Sequence, residues 1–206
     1  MQMKQFVKQI YRHFRPVILN GAGNQVNSLS KFGSGFWIDV NGSNNLVEIA
    51  EDCLLTNTII RISGNNNRLI INKTARFMGP CIITMDGDSN LLIGENAGIR
   101  DVQFVLKDAD IEVGKLCMFS NHILLRNTDS HKVINLEDNQ VTNASRSIRL
   151  GEHVWIGQNA TILKGVSIGD NSIVALGTIV TKDVPANSIV AGVPSKVVKT
   201  GITWDY

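Results

Sequence analysis

From Leu150 the chain reads LGEHVW IGQNAT ILKGVS IGDNSI VALGTI VTKDVP, six sextets in unbroken register. An aliphatic residue opens each sextet: Leu150, Ile156, Ile162, Ile168, Val174 and Val180. A small or β-branched residue stands at the fifth place: Val154, Ala160, Val166, Ser172, Thr178 and Val184. Each sextet reads as one short flat strand plus a turn, and three of them close a triangular coil of about 18 residues. The opening aliphatics then point inward and stack over those of the coil below, while the fifth-place residues let the chain turn each corner. Successive coils, about 4.8 Å apart, pair as parallel strands, so the backbone hydrogen bonds run from coil to coil.

The first half is a looser version of the same pattern. NGSNNLVEIAEDC, SGNNNRLIINKTA, DGDSNLLIGENAG and KDADIEVGKLC align on Ile49, Ile71, Ile93 and Val113, at intervals of 22, 22 and 20 residues. Each interval is one coil plus a short outward turn, rich in Gly and Asn because these tolerate positive φ at little cost. The alternative reading of NNN is a ligand-binding ladder. Composition agrees with strands: aromatics are 6%, against 24 Ile and 19 Val, and β-branched residues favour pleated structure. The 206 residues suit one elongated domain. A helical cap is expected over residues 1–16, with Phe6, Ile10 and Phe14 on one face and Pro16 at its end. The solenoid covers 17–199, interrupted by one excursion loop at about 126–147, and 200–206 form a tail.

A formal charge of +2, without a run of Lys or Arg, carries no nucleic-acid footprint. Cys53, Cys81 and Cys117 have neither CxxC spacing nor an even count, and fit reduced, buried thiols. The N-terminal segment lacks an apolar stretch of signal-peptide length. No segment reaches the roughly 18 to 20 apolar residues of a membrane span. The expectation is a cytoplasmic protein, with a peripheral contact of the first segment at the inner membrane left open.

Solenoid coils are monotonous, so chemistry belongs where the repeat breaks. The break opens with RNTDSHKV, residues 126–133. A histidine there is either a turn residue or a base, since an imidazole with an ordinary pKa of about 6.5 can accept a proton near neutral pH. RNTDSHKV, followed by the sextets and by ANSIVAGVPSKVV, resembles the hexapeptide-repeat O-acetyltransferases. The nearest in pattern are those that acetylate sugars of bacterial capsule, lipopolysaccharide or polysialic acid. The resemblance is strong over residues 117–200 and only architectural before them.

The resemblance implies an all-β, left-handed parallel β-helix and an acetyl-CoA-dependent transfer to a hydroxyl of a surface polysaccharide. It implies His131 as general base and Trp155 at the thioester, where an indole N–H can steady the oxyanion. Asp129 is expected either to orient the imidazole or to cap the turn. Coenzyme A is expected in a groove between neighbouring β-helices, beside Ala175 and Gly177, with Lys164, Lys182 and Lys196 as candidates for its phosphates. A homotrimer follows, in which His131 of one subunit faces the cofactor coils of the next. No metal is implied, and no cysteine is placed as a nucleophile. His122, which opens a strand, can line the site; His153 reads as a surface or subunit contact, and His13 as irrelevant.

Three rivals are weighed. A γ-class carbonic anhydrase needs three histidines converging on zinc, and His122, His131 and His153 lack the close-spaced pair that family uses. Transfer to a small acceptor (serine, a simple sugar, an aminosugar nucleotide or an antibiotic) is the second. A non-catalytic β-helix scaffold is the third, and such scaffolds lack a long polar loop bearing a lone histidine.

Overall fold

The computed structural model describes residues 16–205; the helical cap expected over 1–16 lies outside them but for Pro16. The chain winds as a parallel β-helix with three faces. Face A stacks eight strands, from Val17–Asn20 to Ile179–Val180, and face B seven, from Gln25–Ser28 to Ser167–Ile168. Face C runs from Leu54–Leu55 to Ser188–Ala191, and is edged by Lys196–Thr200, which turns back antiparallel.

The register read from the sequence is the register of the coils. On face B, Ile49 lies over Ile71, Ile93, Val113, Leu150 and Ile168 in turn. On face A the inward column is Ile38, Ile60, Ile83, Phe104, Leu125, Ile162 and Val180. Every member of both columns is buried, as are all six fifth-place residues. Each such aliphatic or aromatic side chain contributes about 1.5–3 kcal/mol by leaving water. The step from Val113 to Leu150 spans the whole excursion, yet these residues pair directly. The loop is therefore inserted at a corner without disturbing the stack.

The Asn-rich corners of the first half are structural. The Asn45 amide and backbone N–H both donate to Asn24 Oδ1 at 3.0 Å, and those of Asn67 donate to Asn45 Oδ1 at 2.9 Å. Asn45 and Asn67 are buried, so each must find its partners inside the protein, and the ladder supplies them. Asn44 and Asn66 take left-handed φ of 57° and 61° at the same turns. The buried rungs of this ladder face each other, which removes them as ligand contacts.

Candidate active site

The excursion occupies residues 127–147, at the corner between Ile123–Arg126 of face A and Ile148–Leu150 of face B. Its root is fixed by Asn127, fully buried, whose amide donates to Ala109 O at 2.8 Å and accepts from Lys107 N–H at 2.9 Å. Arg126 holds the next turn, donating to Thr128 O and Ser130 Oγ, both at 2.7 Å. Beyond it the Asp129 carboxylate accepts from Lys164 Nζ and, at 2.8 Å, from Asn143 Nδ2. Asn143 Nδ2 also donates to His131 O at 2.8 Å, and Lys164 Nζ to Asn143 O at 2.9 Å.

These bonds pin the His131 backbone from two sides, its own N–H donating to Asp129 O at 2.8 Å. The ring is exposed and lines a cavity of about 260 Å³ with Asp129, Lys132 and Asn143. The Asp129 carboxylate bonds to Lys164 and Asn143; no bond joins it to the His131 ring. The Lys164 hydrogen bond, then that of Asn143, holds the Asp129 carboxyl below the usual carboxylate range. Lys164, expected at a phosphate, has its ammonium engaged in the loop instead.

Trp155 stands on the outer side of face C, 38% exposed, with Met118 on one side and Ile173 on the other in register. The C-terminal tail folds back here. The Trp204 ring stacks on His153 with centroids 4.0 Å apart, lies 6.0 Å from the Trp155 ring, and donates from Nε1 to His153 O at 2.8 Å. Nothing in the repeat marked Trp204, because it lies beyond the last sextet; an aromatic just past the end of the repeat is the signal it carries. Ala175 and Gly177 form the next corner of the same side. Their amides are engaged within the coil, donating to Val190 O at 2.9 Å and Gln158 O at 2.7 Å. What they offer a ligand is close approach: a side chain at Gly177 would meet no atom within 4 Å. Lys196 is exposed on the antiparallel edge strand opposite Ala191.

The sequence-predicted residues thus fall into two groups. Asp129, His131 and Lys164 share the corner between faces A and B, and Lys182 lies at the same corner one coil further on, directly after Ile179–Val180. Trp155, Ala175, Gly177 and Lys196 belong to face C and its border with face A. In a triangular coil the corner of A and B does not touch face C, so one chain does not bring His131 and Trp155 together. His122 pairs through Nδ1 with Asp101, and His153 with Asn171 at 3.0 Å. Burial pushes the Cys81 thiol up to about 11 and the Cys117 thiol to about 12, so both are protonated at neutral pH. Among the described residues no His, Cys, Asp and Glu side chains gather as a metal site.

The sequence profile described as the hexapeptide repeat of succinyl-transferase matches residues 147–182. A polysialic acid O-acetyltransferase of Neisseria meningitidis is 33% identical over 147 residues, covering 70% of this chain and 68% of that protein. The chain belongs to the hexapeptide-repeat O-acetyltransferase family. A polysialic acid O-acetyltransferase of Escherichia coli O1:K1 / APEC is 33% identical over 135 residues, 65% of this chain but only 43% of that longer protein. In three dimensions the crystal structure of the polySia specific acetyltransferase NeuO superposes with a TM-score of 0.87 at 30% identity, over 92% of this chain and 88% of that one. For a member of this family, the weaker, longer coils of the first half are part of the shared architecture and not a separate unit.

Proposed function

We propose that this chain transfers acetyl from acetyl-CoA to a hydroxyl of a bacterial surface polysaccharide, in a homotrimer whose sites lie between subunits. The observation that carries the reading is the likeness to two polysialic acid O-acetyltransferases over 70% and 65% of the chain, and to the NeuO structure over 92% of it. The separation of His131 from Trp155 supports the shared site: each group is complete on its own side and needs its complement from a second copy.

In this reading His131 of one subunit takes the proton of the sugar hydroxyl as that oxygen attacks the thioester carbonyl. The Trp155 indole of the neighbour lies beside the acyl group and steadies the oxyanion. The C–S bond breaks, the acetyl ester forms, and the proton on the imidazole passes to the departing thiolate to give free coenzyme A. The thioester is already activated, so direct transfer needs no covalent enzyme intermediate. The site fits the donor: exposed Leu176 and the open corner at Gly177 continue from Trp155 along the C-terminal coils, giving an acyl-pantetheine arm an apolar, unobstructed path. Lys182 and Lys196, both exposed, remain candidates for the phosphates, while Lys164 acts on the loop.

Calorimetric titration with coenzyme A in the presence of a chelator tests the reading. Saturable binding at about one site per chain, followed by thiol release with a polysaccharide acceptor, is the expected result. An absence of binding at millimolar ligand would remove the donor and the reading with it.

A further inference from the structure

Gly98 is unlike the other glycines. Elsewhere among the described residues a glycine is explained by a left-handed φ or by a Cβ that would collide with a neighbour; at Gly98 the backbone is ordinary and a Cβ would meet nothing within 4 Å. Gly98 sits on the outward side of face C, paired in register with Arg76 below and Met118 above, and Met118 is paired with Trp155. Gly98 is in regular register with both neighbours, so of the usual reasons for a strand glycine, a bulge, a bend or close approach of a ligand or another backbone, close approach is the one that fits.

The surroundings define what approaches. Gly98 opens a cavity of about 570 Å³ with Met118 and Leu116 as apolar lining and Arg76, Arg100 and Asn121 among its polar groups. Among the described residues neither arginine has an ion-pair partner. The nearby carboxylates are committed elsewhere, Asp101 to His122 and Glu95 to Lys73. Two guanidinium groups without anions, over an apolar floor, suit a sugar ring that carries a carboxylate, which a guanidinium grips through paired N–H bonds. The cavity lies on the N-terminal side of Trp155 in the row Arg76, Gly98, Met118, Trp155, whereas Ala175 and Gly177 lie on its C-terminal side.

We propose that this cavity is an acceptor subsite that holds a carboxylate-bearing sugar residue of the glycan, and that position 98 is glycine to admit it. The proposal rests on the acetyl-transfer reading only in taking Trp155 as the place of the thioester. Donor and acceptor then approach Trp155 from opposite ends of one face.

The test is calorimetric titration of the full chain with oligosialic acid, with oligogalacturonate, and with the carboxyl-reduced form of each, beside coenzyme A. Wild type is expected to bind an acidic oligomer, and its reduced form about tenfold or more weakly. Arg76→Gln and Arg100→Gln are each expected to lose about tenfold for the acidic oligomer. Gly98→Val, which the strand tolerates, is expected to lose as much by filling the cavity, with coenzyme A binding as in wild type for all three. Wild type ignoring both acidic oligomers, or variants binding them as wild type does, overturns the subsite. Failure of coenzyme A to bind wild type is read separately and counts against the acetyl-transfer reading alone.

Discussion

The corner that carries His131 and the face that carries Trp155 are built on opposite principles. The corner is polar and exposed, and its shape depends on Arg126, Asn143, Asp129 and Lys164 bonding to one another and to the loop backbone. The face is a parallel ladder in which Trp155 is fixed by strand pairing to Met118 and Ile173, with Trp204 against it. The two groups of candidate residues therefore lie on different sides of the coil, which is what the shared-site proposal starts from.

The largest effect expected is at the base. His131→Ala should lower turnover by about 100-fold or more while coenzyme A binding, measured by calorimetry, stays near wild type; near-normal turnover would remove the base from the corner. Trp155→Ala should lower turnover as well, and also weaken the donor. Co-expressing the two differently tagged variants and isolating the mixed oligomer then sharpens the comparison, since some sites regain both groups. Activity well above that of either parent is expected, and a mixture no better than its parents would break the shared-site reading.

Lys164→Met should cost less, roughly a few-fold in turnover, because it loosens the loop without touching the ring; an exposed ion pair contributes at most about 1 kcal/mol. The Asp129 carboxyl is held below the ordinary range, so the contact is fully present above that range and is lost as the pH falls through the lowered value. Loss of amide-exchange protection around residues 127–147, relative to the intrinsic exchange rate at each pH, is the expected signature once the pH falls below the ordinary carboxylate range, and Lys164→Met should move the onset upward in pH. The smallest effect concerns the thiols. With Cys81 and Cys117 raised to about 11 and 12 by burial, brief alkylation of the native protein should leave activity unchanged, and inactivation without unfolding would contradict their structural role.

Much of this was legible in the residues themselves. The alignment of Ile49, Ile71, Ile93 and Val113 is the stacking found on face B, and the break at RNTDSHKV is where the coil opens. Other features were not. Trp204 reaches His153 from 51 residues away, a contact no repeat encodes. Lys164 stood as a phosphate candidate because nothing in the local sequence shows its partner, Asp129, 35 residues back across the loop. Gly98 carries no mark in the repeat, and only its open surroundings in three dimensions set it apart.

The coil, its inward columns and the place of its interruption follow from the residues alone, because a hydrophobic period is local and recurs in every turn. Which side of the coil each group occupies is settled by the folded chain. Position around a triangular coil is known by counting sextets, and the irregular loop between Arg126 and Ile148 erases that count. Pairing of the strands on either side of it restores the phase, and with it the placement of His131 and Trp155 on different sides of the coil.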